Sequence, residues 1–137
     1  MLSTNKTRLV RLAAALALLG TASFGAMAEW TEVNDDTEFT AYIDLSTIRR
    51  AGHMVKVWGI RDFKSPGVLR SDAYFSARAR YEFDCSDERV RIIDTTVHSG
   101  RMGSGLVVAT DSRPGDWSSV APGSIGKRYF KLACGIK

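Results

Sequence analysis

The stretch FSARARYEFDC at residues 75–85 decides the fold. Its odd positions hold apolar residues or cysteine, and its even positions hold polar or charged residues. Side chains in a β-strand point alternately to the two faces of a sheet, whereas a helix would scatter these residues around its axis. The stretch therefore predicts a strand whose apolar side chains face a core, with Arg78, Arg80, Glu82 and Asp84 in water.

Further strands are predicted on both sides of this stretch. Four segments have strand character: 38–44, 54–63, 90–98 and 106–110. Residues 54–63 are apolar on both sides, which predicts a central strand covered on both faces or one that meets a partner subunit. Residues 44–48 predict a turn, because Asp and Ser bond their own backbone. Five or six successive strands without an intervening helix predict an antiparallel meander.

The C-terminal tail has the period of a helix. Ser124 is a suitable N-cap residue, and it follows a loop rich in proline and glycine. On a helical wheel, one half carries the apolar side chains of Ile125, Tyr129, Phe130, Leu132, Ala133 and Cys134, and the other half carries Lys127, Arg128 and Lys131. The tail therefore predicts a helix that buries one side against the sheet.

The N-terminal segment has the three parts of a secretory signal peptide. Basic residues at positions 6, 8 and 11 precede an apolar run, 12–19, and the small-residue exit Ala26-Met27-Ala28. The alternative is a membrane-anchored helix, but the run is shorter than the ~20 residues that a spanning helix needs. We predict that residues 1–28 are cleaved and that residues 29–137 form a single domain. The signal contains no cysteine, so no lipid anchor is expected.

The charge balance does not favour nucleic-acid binding. The chain has 19 basic and 15 acidic residues, for a net charge of +4. Removing the three basic residues of the signal leaves 16 against 15, or +1. A nucleic-acid partner would need a clustered excess of positive charge. No nucleic-acid partner is therefore expected.

The two cysteines, Cys85 and Cys134, are predicted to form a disulfide. An exported chain folds in an oxidising compartment, and an even cysteine count leaves no thiol over. Cys85 lies on the apolar face of its strand, and Cys134 lies at the margin of the apolar half of the helix. The bond would pin the helix across the sheet. The sequence thus predicts an α+β protein, with an antiparallel meander of about six strands and a C-terminal helix tied to one face.

Several short motifs resemble the surface-adhesin protein E family. They occur in order at 42–44, 46–49, 57–58, 81–85, 102–105 and 122–126, and they end at Cys134. The resemblance spans nearly all of the predicted mature chain. It implies a six-stranded antiparallel sheet whose concave side holds a C-terminal helix through a disulfide.

The resemblance also implies a function. The namesake of the family is an outer-membrane lipoprotein that binds host proteins such as laminin and vitronectin, and it can form homodimers. We therefore expect a non-enzymatic, exported protein-binding module, in the periplasm or alternatively at the cell surface or secreted. The alternative function is a soluble periplasmic housekeeping or stress-related protein with an envelope partner. The resemblance assigns no ligand-binding residue.

Candidate groups for catalysis or metal binding have simpler explanations in the sequence. His53 and His98 lie on different predicted strands, without the spacing of a metal site. The acidic residues at 35–36 and 84–88 lie at turns, which favour Asp. The glycine-rich segment 100–105 lacks the ending of a phosphate-binding loop and predicts a tight turn. No catalytic residue, metal or cofactor is expected, and a small hydrolase is the least favoured alternative.

The tryptophans are better guides to recognition. Trp30, Trp58 and Trp117 are the only three in the chain. Exposed tryptophan is frequent at binding hot spots, although most of the tryptophans are expected to lie in the core. The basic side of the predicted helix is interpreted as a solvated face.

Overall fold

The computed structural model describes residues 28–136, so the predicted signal peptide, residues 1–28, lies outside the described residues except for Ala28. Within this range, seven strands and one α-helix follow in chain order: β1 (Trp30–Asp35), β2 (Phe39–Ala51), β3 (Met54–Leu69), β4 (Asp72–Asp84), β5 (Arg89–His98), β6 (Val107–Asp111), β7 (Ser118–Ser119) and α1 (Ile125–Cys134).

The sheet is an antiparallel meander. Strands β1 to β6 pair in sequence order, and each pair is antiparallel. The short β7 pairs with the beginning of β5, whereas β6 pairs with the end of β5. The predicted α+β fold class is thereby confirmed, and β7 is an addition that the sequence pattern did not indicate.

The two faces of the sheet differ in what covers them. Val57 of β3 lies opposite Tyr81 of β4, and both point to the face that holds α1, which we call the helix face. Trp58 lies opposite Arg80 on the other side, which we call the open face. Residues 75–85 alternate between these faces as predicted.

Helix α1 closes the core on the helix face. The ring of Tyr129 stacks on Tyr81 at 5.1 Å between centroids, and Phe130 meets Phe83 edge-to-face at 6.0 Å. The Tyr129 hydroxyl donates a hydrogen bond to the carbonyl oxygen of Tyr42 at 2.8 Å. Burying each large apolar side chain contributes about 1.5–3 kcal/mol. The aromatic contacts therefore hold the helix in one position on the sheet.

Close packing explains why a glycine, Gly59, lies in the middle of β3. A β-carbon at this position would lie 2.9 Å from Tyr81 Cε2 and 3.0 Å from Tyr129 Cε1. Glycine is otherwise unfavourable inside a strand. Its missing side chain leaves the space that the stacked tyrosine pair occupies.

The ends of α1 follow the capping rules. Ser124 Oγ accepts a hydrogen bond from the backbone N–H of Lys127 at 3.1 Å, as expected of an N-cap residue. Gly135 ends the helix in the left-handed conformation, with φ of 71°. Tyr129, Phe130 and Ala133 are buried as predicted, but Leu132 is 38% exposed and lies outside the core.

The disulfide joins Cys85 to Cys134 as predicted, with 5.8 Å between the Cα atoms. Cys85 immediately follows β4, and Cys134 is the last residue of α1. The bond therefore fixes the C-terminal end of the helix to the end of a central strand.

The predicted turn at residues 44–48 is wrong as a chain reversal. This segment lies inside β2, where the register with β3 shifts between Asp44 and Arg49. The side chain of Asp44 accepts hydrogen bonds from the backbone N–H and the hydroxyl of Ser46, as it would in a turn. The local bonding was predicted correctly, but strand pairing on both sides turns the feature into a bulge.

The two outer edges of the sheet are short or irregular. Strand β1 has a register shift between Glu32 and Asn34. The Asn34 side chain accepts a hydrogen bond from Arg128 of α1 at 2.6 Å. The opposite edge is divided between β6, with five residues, and β7, with two.

Candidate functional site

The open face brings all three tryptophans to one side of the sheet. Trp30 pairs in register with Asp44, which pairs with Trp58. Trp117 immediately precedes β7, and continuing the pairing of β7 with β5 places it beside Arg91. Each tryptophan is half-buried. The open face therefore presents large aromatic surfaces that are partly accessible to solvent.

Two arginines of β4 stack on Trp58. The guanidinium carbon of Arg78 lies 4.3 Å from the ring centroid, and that of Arg80 lies 5.9 Å away. A cation over an aromatic face is stabilised by about 0.5–2 kcal/mol, depending on its desolvation. The contacts fix three long side chains on the surface of the sheet.

The positive charge of these two arginines is not compensated by a carboxylate. Among residues 28–136, no carboxylate oxygen lies within 4.0 Å of either guanidinium group. In the described residues, the Nε atom of Arg78 is buried without a hydrogen-bond partner, so it is out of reach of a ligand. Both side chains are half-buried, and a ligand would meet their positive charge at the exposed part of each guanidinium group.

A second stack of arginines and tryptophan extends the open face. The guanidinium carbons of Arg91 and Arg89 lie 4.6 Å and 5.1 Å from the ring centroid of Trp117. These two arginines are ion-paired: Arg91 contacts Glu82 at 2.6 Å, and Arg89 contacts Asp84 at 2.8 Å. This half of the face is closer to neutral than the half around Trp58.

The prediction that Glu82 and Asp84 face water is wrong. Glu82 is 6% exposed and Asp84 is 2% exposed. They point away from the helix as the alternation requires, but long neighbouring side chains cover them. Arg91 and Lys56 cover Glu82, and Arg89 covers Asp84, so each buried charge has a partner of opposite sign.

The stability of the fold should depend on the ionisation of Asp84. The hydrogen bond from Arg89, with others from the backbone N–H groups of Asp87 and Ser86, holds the pKa of this carboxyl group below its usual value. The ionised form therefore stabilises the fold above about pH 4, and this contribution is lost as the pH falls through the lower folded-state pKa. We expect Asp84→Asn to lower stability at pH 7 and to weaken the acid dependence, as measured by urea unfolding at pH 7 and pH 3.

The matched control is Asp72→Asn, which changes an exposed carboxylate near the β3–β4 turn. It should keep the acid dependence of the parent protein. Equal acid dependence in the parent protein and in Asp84→Asn would contradict the assignment.

The remaining predicted candidates lie apart from this face or serve the backbone. Asp36 accepts hydrogen bonds from the N–H groups of Glu38 and Phe39. In the turn at 100–105, the Ser76 hydroxyl donates to the carbonyl oxygen of Gly100 at 2.6 Å. Within the described part of the chain, no group of three or more His, Cys, Asp or Glu side chains could hold a metal ion.

The two histidines have unrelated surroundings. The exposed side chain of His53 lies 3.8 Å from Asp84, and the half-buried His98 contacts Thr96 at 3.0 Å. Burial, and secondarily the charge of Arg78, lowers the pKa of His98. Neither histidine belongs to a group of three or more potential metal-binding side chains in the described residues.

A cavity of about 330 Å³ lies beside α1 on the helix face. Its walls include Tyr81, Phe83 and Tyr129. Burial raises the pKa of both tyrosines, so these phenols remain protonated at neutral pH. They pack the helix against the sheet and do not form an acid–base pair.

Between residues 28 and 136, no helix is long and apolar enough to cross a membrane. The ten-residue α1 is amphipathic, and its apolar side is occupied by the sheet.

The fold matches that of solved proteins. Haemophilus influenzae protein E is 14% identical, with a TM-score of 0.61, and the match covers 80% of this chain and 92% of that chain. Protein E from non-typeable Haemophilus influenzae is also 14% identical, with a TM-score of 0.63, and the match covers 82% and 79% of the two chains. At this identity the likeness concerns the fold alone. Comparison with curated protein sequences gives no match.

Sequence comparison adds the family assignment. The family model described as surface-adhesin protein E matches residues 30–135, which include every strand and α1. The motifs identified in the sequence lie within this range. The chain therefore belongs to the surface-adhesin protein E family and is an adhesin-like module.

Proposed function

We propose that this protein is an exported, non-enzymatic binding module that adheres to host matrix or serum proteins such as laminin and vitronectin. Membership of a surface-adhesin family supports export and a protein partner. The docking surface in this proposal is the open face, centred on Trp58.

The observation that supports this surface is the stacking of Arg78 and Arg80 on a half-buried tryptophan. Tryptophan and arginine dominate the binding energy of protein interfaces. Because the stacked side chains are already ordered, they would lose less conformational entropy when a partner binds. Their uncompensated positive charge favours an acidic epitope on the partner.

Replacing Trp58 should weaken adhesion. We expect Trp58→Ala to reduce affinity for laminin or vitronectin by about 30-fold, which corresponds to a hot-spot loss of about 2 kcal/mol. The measurement is a biosensor titration of each immobilised host protein, with circular dichroism to verify folding. Leu106→Ala is the control, because Leu106 is an apolar side chain, 78% exposed, that precedes the outer strand β6, whereas Trp58 lies on the central β3.

Two outcomes would overturn parts of this proposal. An unchanged affinity in Trp58→Ala would remove the open face as the docking surface. The absence of a saturable signal for the parent protein at micromolar concentration would remove host adhesion. The second candidate function would then apply, namely a soluble periplasmic protein with an envelope partner. Osmotic-shock fractionation would test its location, and a pull-down from the envelope would identify its partner. Dimerisation belongs to the same proposal and is measured by light scattering.

A further inference from the structure

A cationic groove of about 380 Å³ lies on the open face, next to the bulge of β2. It is lined by Arg49, Arg50, Ala51, Met54, Lys56, Arg80 and Glu82. The side chain of Arg50 points to the helix face, where its Nη2 donates a hydrogen bond to the carbonyl oxygen of Ala133 in α1 at 3.3 Å. The basic side chains on the open face are therefore those of Arg49, Lys56 and Arg80. Strands β2, β3 and β4 all contribute to it. We call this concavity the basic groove.

The single carboxylate of the basic groove does not neutralise it. Glu82 is 6% exposed and is already held by Arg91 at 2.6 Å, from a neighbouring strand. It is also shared with Lys56 at 3.7 Å. In the described residues, no other carboxylate lies within 4.0 Å of a basic group of this groove. The groove therefore has an excess of positive charge that the fold itself leaves uncompensated.

The basic side chains are arranged for a ligand that extends across the strands. Arg49 lies opposite Lys56, and Lys56 lies opposite Glu82, so the row follows neighbouring strands at about 4.8 Å spacing. Arg49 is exposed. Arg49 donates from one terminal nitrogen to the Ile48 carbonyl oxygen at 2.8 Å. Its other N–H donors are available, and a guanidinium fork matches the geometry of an oxyanion.

We propose that the basic groove binds a sulfated polysaccharide chain of the glycosaminoglycan class. A protein epitope needs an apolar centre, and the groove offers only the side chains of Ala51 and Met54. A sulfated sugar polymer instead carries several anionic groups on each disaccharide and binds through charge and hydrogen bonds. This activity goes beyond protein adhesion, and its test replaces residues other than Arg78 and Arg80, the pair stacked on Trp58.

The test is a biosensor titration with heparin as the probe, at several NaCl concentrations. We expect Arg49→Gln/Lys56→Gln to lower affinity for heparin about tenfold or more near 150 mM salt. Each lost ionic contact should also reduce the slope of log affinity against log salt by about 0.7–0.9, by analogy with nucleic acids. Arg49 has no carboxylate partner in residues 28–136, and Glu82, the partner of Lys56, keeps its contact with Arg91 at 2.6 Å, so this variant leaves no buried charge unpaired.

The control variant is Arg70→Gln/Lys131→Gln, which removes the same charge from two exposed positions outside the groove. It should keep affinity for heparin within about twofold. An equal loss in both double variants would overturn the proposal, because net charge alone would then explain binding. Poly-glutamate binding as tightly as heparin would also overturn it in favour of an acidic peptide ligand. Laminin and vitronectin titrations of the same variants separate this result from the fate of the protein-adhesion proposal.

Discussion

Replacing both cysteines, as Cys85→Ala/Cys134→Ala, should lower the free energy of unfolding by roughly 4 kcal/mol. The disulfide closes a loop across 49 positions of the chain, and the chain-entropy model gives about this value for such a loop. A domain of this size has only about 5–15 kcal/mol of total stability. The variant should therefore lose a large share of its total stability. Urea unfolding followed by tryptophan fluorescence measures the difference.

The control for this prediction is the parent protein with a thiol reductant. Reduction breaks the bond without changing the side chains, so the reduced parent and the double variant should have similar unfolding midpoints. A loss below about 1 kcal/mol in both would contradict the prediction. The helix would then be held by its packing alone, and the unfolded chain would retain enough structure to make the cross-link redundant.

Truncating Phe130 should destabilise the protein by about 3–5 kcal/mol, the usual cost of replacing a buried phenylalanine by alanine. The side chain is fully buried and contacts the ring of Phe83 edge-to-face. Phe130→Ala removes apolar burial and leaves a cavity between α1 and the sheet. Because the disulfide anchors only the C-terminal end of α1, its earlier turns should also detach more easily. Hydrogen exchange of the backbone amides of α1 would detect this detachment, and urea unfolding would give the total loss.

Leu132→Ala is the matched control on the same helix. Leu132 is 38% exposed and lies outside the core, and both residue types favour helices. The expected change is within about 0.5 kcal/mol. Equal losses in the two variants would contradict the assignment of the Phe130 effect to packing on the sheet, because alanine favours a helix at both positions.

The sheet and helix were predictable because their signals are local. The alternation of residues 75–85 identified β4 and the face that each side chain occupies. The N-cap Ser124 and the apolar half of the tail identified α1. The sequence predicted a turn at residues 44–48 where the structure has a bulge, because Asp44 accepts the same hydrogen bonds in a turn and in a bulge. Which one forms depends on strands that pair on both sides.

The docking surface was only partly predictable. The tryptophans and the arginines of β4 were each noted in the sequence, but their stacking depends on the register of β3 with β4. The burial of Glu82 also depends on register, since its partners come from two other strands. The basic groove combines residues from three strands, and no local pattern places Arg49 beside Arg80. The basic groove would have been indicated only by the strand register that places Lys56 between Arg49 and Glu82.

The broken edges of the sheet have a consequence for behaviour at high concentration. A long, flat outer strand offers unpaired backbone groups to a second chain, which is how open sheets grow into fibrils. Here one margin is bent by the irregularity near Asn34 and is contacted by a helix side chain, and the other is split into two short pieces. Neither margin is a regular template for adding another strand. The protein can therefore expose an aromatic binding face while resisting aggregation by backbone pairing between the sheets of different molecules.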